Sequence, residues 1–379
     1  VGPFDDLDPA PYRLPETDLA RLLSPALLIY LDQVRVNVRR MLAWTGGPER
    51  WRPHVKTVKA PALFGELLAA GVRRFKCATL REARTLLGTA REQGVEIDLL
   101  IAYPQVGPAV GELRRLAEAF PEAVLAVLCE APEAVARVPE GVGVFLDLDP
   151  GMHRTGLAPD DASAVRTLAR AAGARLRGLH WYEGHLHGPL DERRAACHAG
   201  YRRLLELADA LEGDGHPASE LVTSGTPGFR HALEFEGFRD RSHRVSPGTV
   251  VLHDLRSAEE NPGLGLVPAA LLLARVVSRP QPNRVTCDAG SKSIATEAGD
   301  PCAAVLGRPE LVPERSSEEH LPLRVTRGPA PPTGEPLQLV PRHVCPTVNL
   351  AEQLVLVEGG RVTGLAPVSA RAHDVLVDP

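Results

Sequence analysis

The chain has 379 residues, 44% hydrophobic and 24% charged, with a formal net charge of −5. That supports large buried cores and two domains, and it excludes a disordered chain or one that coats nucleic acid. No apolar run approaches the ~18–20 residues that a bilayer span needs. The opening "VGPFDDLDPAPYRLP" lacks the basic and apolar regions of a signal peptide, and the 6 cysteines contain no CxxC pair. Together these predict a soluble protein of the reducing cytoplasm with mostly buried thiols.

From residue 25 short β-prone runs alternate with amphipathic segments of helical length. The predicted strands are "ALLIYLD" (26–32), "RPHVK" (52–56), "RRFKCAT" (73–79), "DLLIAYP" (98–104), "AVLAVLCE" (123–130), "VGVFLDLDP" (142–150), "RLRGLHWYEGH" (175–185) and "SELVTSGT" (219–226). Helices are expected at 32–46, 80–94 and 160–173. In the first of these, Val34, Val36, Val38, Met41, Leu42 and Trp44 supply the apolar face. The rhythm predicts an α/β fold, a (β/α)8 TIM-type barrel over residues 25–245 with its chemistry at the C-terminal ends of the strands. After residue 245 the pattern turns to strands and turns, including the Gly-Gly hairpin signal "VEGGRV" (357–362). An antiparallel β domain over 246–379 is expected, with residues 1–24 free to pack against either domain.

Several motifs sit at predicted strand ends. Lys56 in "WRPHVKTVKAP" is either an amine that condenses with a cofactor aldehyde or a solvated lysine at the barrel rim. His54, two residues before it, is a second catalytic candidate. "TSGTPG" offers Ser224, Gly225 and Thr226, and "SPGTVV" offers Gly248 and Thr249. These are phosphate-binding turns or ordinary ones. Arg154 in "DPGMHRTG" can bind a carboxylate or a cofactor ring nitrogen, or form a surface ion pair. His343 and Cys345 stand at i and i+2 in "PRHVCPTVNL". On a strand they share a face and can grip a metal; the other reading is a buried thiol beside a hydrogen-bonded imidazole. "YEGHLHG" clusters Tyr182, Glu183, His185 and His187 as an aromatic wall with a general base, and "SSEEH" adds Glu318, Glu319 and His320, a loop with no assigned role.

Taken in chain order, "RPHVKT", "DPGMHRTG", "SEEH" and "PRHVCPTVNL" resemble the D-threonine aldolase and D-serine dehydratase family, pyridoxal phosphate enzymes with an alanine racemase-like barrel and a β domain. The resemblance runs from "SPALLIYLD" almost to the C-terminus. It implies that Lys56 is the Schiff-base lysine and that Arg154 faces the cofactor. It also makes the turns at 224–226 and 248–249 the phosphate cradle, and has His343 and Cys345 bind a divalent metal, Mn2+ or Zn2+. Three positions depart from the family pattern: Val58 replaces a histidine, Ser224 the first glycine of a Gly-Gly-Thr turn, and Val250 an aromatic. The activity implied is cleavage of a D-β-hydroxy-α-amino acid to glycine and an aldehyde. D-serine dehydration, racemisation and cofactor binding without turnover are the alternatives. A homodimer acting on a small D-amino acid, away from nucleic acid and membrane, is expected on the same analogy.

Overall fold

A computed structural model describes residues 2–376. The chain divides into two compact units, one formed by residues up to Arg40, Thr57–Glu66 and Thr249–Arg371, the other by Met41–Lys56, Leu67–Gly248 and the residues from Ala372. The first predicted barrel strand forms as β1 (Ala26–Tyr30), yet it pairs inside the first unit and takes no part in the barrel.

The second unit is the barrel. Seven parallel strands follow one another in sequence order: β2 (Arg74–Cys77), β3 (Asp98–Pro104), β4 (Val124–Cys129), β5 (Gly143–Leu148), β6 (Leu176–Trp181), β7 (Glu220–Thr223) and β8 (His243–Val245). Residues 51–54 make the eighth stave. Trp51 bridges Val245 of β8 and His54 bridges Lys76 of β2, both in parallel register. The Arg52 N–H donates to the Val245 carbonyl at 2.9 Å, and the Lys76 N–H to the Pro53 carbonyl at 3.0 Å. The expected strand at 52–56 is therefore shorter, ending in a 3-10 turn at Val55–Thr57. β8 had no apolar pattern to announce it, being only "HRV".

The helices around the barrel form where patterning and caps agree. The Leu80–Glu92 helix opens on a capping box between Thr79 and Glu82, and its inward side buries Ala83, Leu86, Leu87 and Ala90. Inside the barrel, Leu100, Ala126, Leu128, Phe145 and Val222 form an apolar plug. An ion cluster also lies there. Fully buried Arg52 donates to both Glu220 oxygens at 2.8 and 2.9 Å and to Asp98 at 3.0 Å. Arg177 shares Asp98 at 2.8 Å and Arg244 shares Glu220 at 3.0 Å. Each charge in it meets at least one of opposite sign, three guanidiniums against two carboxylates, and that pairing is what makes burial of so many tolerable.

The first unit holds a mainly antiparallel sheet. Its strands are β1, β9 (Ala270–Gln281), β10 (Arg284–Cys287), β11 (Ala303–Val305), β12 (Leu311–Pro313), β13 (Leu321–Val325), β14 (Pro336–Pro341), β15 (Gln353–Glu358) and β16 (Arg361–Pro367). The order is β12-β13-β10-β9-β1-β15-β16, with β14 beside β9 and β11, and only β1–β15 runs parallel. The predicted hairpin forms between β15 and β16, where Gly359 and Gly360 take φ of +57° and +71°. The N-terminal segment packs in this unit: Tyr12 meets Tyr30 edge-on at 5.0 Å and accepts the Tyr30 hydroxyl at its carbonyl at 2.8 Å. Among the described residues no helix is long and apolar enough to cross a membrane.

Removing one partner of the barrel's ion cluster strands a buried charge. Glu220→Ala is expected to lower unfolding free energy by about 3–5 kcal/mol in urea denaturation. A loss below about 1 kcal/mol, the worth of an exposed pair, would refute the cluster's structural role.

Candidate active site

In the barrel unit Lys56 sits in the 3-10 turn that ends the 51–54 stave, and its side chain is exposed rather than partly buried. Its backbone N–H donates to His54 Nδ1 at 3.3 Å, so His54 orients the turn through the nitrogen that carries no proton. Gly248 is required beside them. A Cβ there would lie 2.1 Å from the His54 carbonyl oxygen.

Tyr182, half-buried after β6, is the centre of a second group. The Arg154 guanidinium stands 4.9 Å from its ring centroid and the Lys76 amine 5.6 Å. A Cβ on Gly225 would come within 2.8 Å of the same ring. The 224–226 turn, at the C-terminal end of β7, therefore passes directly against Tyr182. Ser224 is buried with φ of +61°, and its hydroxyl faces inward, 3.1 Å from both Thr223 Oγ1 and the Tyr201 hydroxyl. Tyr201 in turn donates to Glu183 Oε1 at 2.7 Å. Thr226 is buried in the same turn. Sequence reasoning missed Ser246, whose backbone N–H ties β8 to the turn by donating to the Thr223 and Ser224 carbonyls at 3.0 and 3.1 Å. Among the described residues its buried hydroxyl has no hydrogen-bond partner.

These features fit pyridoxal phosphate. Backbone bared at Gly225 and Gly248, an orphan buried hydroxyl at Ser246, an exposed guanidinium and an exposed primary amine all lie at the C-terminal ends of barrel strands. Glu183 is part of the scaffold under the turn. Burial pushes its carboxyl above the ordinary range, against the hydrogen bonds of Tyr201 and Ser224 that favour its charge. His185 is held low by burial and lies in the field of Asp149. In the other unit, Glu318 and Glu319 pair with Lys292 at 2.9 and 3.3 Å on an exposed loop.

Also in that unit are the two candidate metal donors. They do not lie on a strand. β14 ends at Pro341, His343 is the N-cap of the Val344–Leu350 helix, and Cys345 stands in its first turn. "CPTVNL" carries a proline at the start of a helix, a signal the strand reading passed over. Buried Asp254 fixes this helix start by accepting the Val344 N–H at 2.9 Å. Cys345 Sγ is 3.1 Å from the Thr57 hydroxyl and 3.4 Å from that of Thr249. His343 Nδ1 donates to Glu297. Burial opposes the charge of His343, but the hydrogen bond and charge of Cys345, with Glu297 and Asp254, carry its pKa to about 9. Among the described residues no group of three or more His, Cys, Asp and Glu is placed to hold a metal. The donor set fits an open site with two protein ligands, one soft and one imidazole, with Glu297 orienting the imidazole from behind.

Barrel, β domain and rim lysine define the alanine racemase-like class of pyridoxal phosphate enzymes. Residues 29–254 match the family described as "Alanine racemase, N-terminal domain", and residues 269–357 match "Putative serine dehydratase domain". The chain is 32% identical to a D-threonine aldolase of Arthrobacter sp over 94% of its own length and 95% of the relative's. It is 27% identical to a 3-hydroxy-D-aspartate aldolase of Paracoccus denitrificans, over 94% of each. The crystal structure of a D-threonine aldolase from Filomicrobium marinum superposes with a TM-score of 0.83 at 28% identity, covering 93% of this chain and 97% of that one. The chain belongs to the D-threonine aldolase and D-serine dehydratase family of pyridoxal phosphate-dependent lyases.

The buried carboxyl under the turn yields a pH test. A folded-state value raised above the unfolded one stabilises only below the unfolded value, and that contribution is lost as pH rises through the folded value. Glu183→Gln keeps an acceptor for Tyr201 without the charge. Its unfolding free energy is expected to exceed that of the unsubstituted protein in neutral solution, and the difference should vanish as pH falls toward the ordinary carboxyl value of 4.5. A difference independent of pH would contradict the assignment.

Proposed function

We propose that this lyase cleaves D-β-hydroxy-α-amino acids of the D-threonine type to glycine and an aldehyde, using pyridoxal phosphate and a divalent metal. The observation that carries the reading is full-length likeness to D-threonine aldolase, combined with an exposed lysine at the barrel rim and a two-donor site with open coordination.

Pyridoxal phosphate supplies an aldehyde for the Lys56 amine and an electron sink for charge developing at Cα. A divalent cation, Mn2+ or Zn2+, supplies Lewis acidity toward the β-hydroxyl. His343 and Cys345 would hold the cation, with Glu297 accepting from His343 Nδ1 and leaving Nε2 free to serve as the ligand. Lys56 would hold the cofactor through its side-chain amine. His54 holds the Lys56 turn in place through its Nδ1 contact. Arg154 and Tyr182 form one wall, and the turns at 224–226 and Ser246–Gly248 receive the phosphate. A solved relative, D-threo-3-hydroxyaspartate dehydratase from Delftia sp., is described in a metal-free form after a cysteine was replaced by alanine.

Dehydration of D-serine to pyruvate and ammonia is the second reading. It is favoured by the cysteine donor and by the serine dehydratase match, which spans both His343 and Cys345. The purified protein with pyridoxal phosphate and Mn2+ should be given D-threonine and D-serine separately, with and without chelator. Chelator-sensitive glycine and acetaldehyde are expected. Pyruvate from D-serine, with no cleavage of D-threonine, would replace the first reading by the second. Lys56→Ala is expected to abolish covalent cofactor absorbance, and its persistence would remove Lys56 from the centre of the site. Glu297→Ala should cost about 10- to 100-fold in metal affinity, measured by metal titration; unchanged affinity would refute the orienting role.

A further inference from the structure

Ser224 holds a backbone conformation that serine seldom takes. Its φ of +61° lies in the left-handed region, open to glycine but crowded for any residue with a Cβ. The next residue, Gly225, presses so closely on the Tyr182 ring that a Cβ there would come within 2.8 Å of it. Backbone bonds tie Ser224 on both sides, its N–H donating to the Trp181 carbonyl at 3.2 Å and its carbonyl accepting the Ser246 N–H at 3.1 Å. The side chain supplies a third tie.

That side chain meets two anchored oxygens, and Ser224, Thr223 and Tyr201 are all wholly buried. The Tyr201 ring packs among Phe238, Phe235 and His198, at centroid distances of 5.1, 5.6 and 6.3 Å. Its hydroxyl proton goes to Glu183 Oε1, which leaves its oxygen to accept from Ser224 at 3.1 Å. Burial, then the charge of Glu183, hold the phenol well above its ordinary pKa, so that proton stays in place. Thr223 Oγ1, the other acceptor for the Ser224 hydroxyl, is anchored at 2.8 Å by His243 Nε2. The His243 ring stacks on Phe238 at 4.0 Å, so one phenylalanine steadies both anchors. Turning the Ser224 hydroxyl outward to a ligand would break its bonds to both, at the cost of stripping buried polar groups.

We infer that the Ser224 hydroxyl is a latch that keeps the 224–226 turn in its left-handed form, and not a ligand of the cofactor phosphate. Tyr201 is the positioning residue that fixes the latch. The phosphate then meets a turn already shaped for it, with backbone bared at Gly225. A latch acts on affinity through preorganisation. If the empty turn holds the receptive form only about a tenth of the time, the apparent affinity falls by that same factor. This role rests on the reading that the 224–226 turn receives the phosphate, and it is tested without any substrate.

Pyridoxal phosphate and pyridoxal, which lacks the phosphate, should each be titrated into protein prepared free of cofactor, and the dissociation constants compared. Ser224→Ala keeps the Cβ and loses the hydroxyl. Its affinity for pyridoxal phosphate is expected to fall about tenfold, with that for pyridoxal unchanged. Ser224→Gly loses the same hydroxyl but enters the left-handed region freely, and should stay within about threefold of the unsubstituted protein. Both variants leave the same two oxygens without the serine, so their difference reads the backbone alone. A glycine variant as weak as the alanine one would make the hydroxyl a phosphate ligand and overturn the latch. Tyr201→Phe keeps the ring in its aromatic packing and should weaken pyridoxal phosphate alone, by about 2- to 10-fold; an unchanged affinity would remove Tyr201 from the role. Should that variant not fold, the two Ser224 variants decide. An equal loss of both ligands in the alanine variant would overturn the proposal, as would an unsubstituted protein that binds the two equally well. Absence of turnover on any D-amino acid would count against the proposed function alone.

Discussion

A four-residue stave closes the barrel. Trp51 joins β8 and His54 joins β2, and the same few hydrogen bonds that complete the ring also aim the chain at the rim, where Lys56 emerges. The stave is too short to be held by its ladder. It is pinned by Arg52, whose guanidinium is locked between Glu220 and Asp98, and by the Trp51 indole N–H, which donates to the Pro247 carbonyl at 3.0 Å. The position of Lys56 therefore depends on a charge cluster deeper in the same barrel, and on a glycine, Gly248, that lets the next turn lie flat against the His54 backbone.

Much of this was legible from spacing. Six of the barrel strands and the Gly-Gly hairpin fall where their patterns put them, because alternation and turn chemistry are local signals. The errors came where pairing partners decide. Ala26–Tyr30 and the barrel strands carry the same buried, β-branched and aliphatic character, and nothing local says which sheet will recruit a strand. His243–Val245, with two charged or polar residues out of three, has the composition of a loop and becomes a strand only through its neighbours. At the candidate metal donors, period-two reasoning placed His343 and Cys345 on one strand face; the structure puts both at a helix start instead.

The site divides along the same line. Lys56, Arg154 and the small-residue turns were visible because they stand at predicted strand ends, in motifs whose order resembles the family's. Ser246 was hidden, since an orphaned hydroxyl is a fact of three-dimensional packing. Lys76 and Asp147 were also passed over, although each left a trace: an ionisable residue inside a short, otherwise buried strand, in "RFKC" and in "VFLDL". Charges placed there are costly unless they meet, and these meet through His180.

One feature of the β domain bears on how the polypeptide is made. Its central strand β1 lies near the amino end, yet both of its partners, β9 and β15, belong to the last third of the chain. During synthesis the barrel can begin to assemble as soon as its staves leave the ribosome, whereas β1 precedes them, with both edges unpaired until β9 has been made and one edge unpaired until β15 has. Its apolar run "ALLIY" is for that interval a natural client for a holdase chaperone, and a nascent chain stalled before residue 270 would leave both of its edges bare.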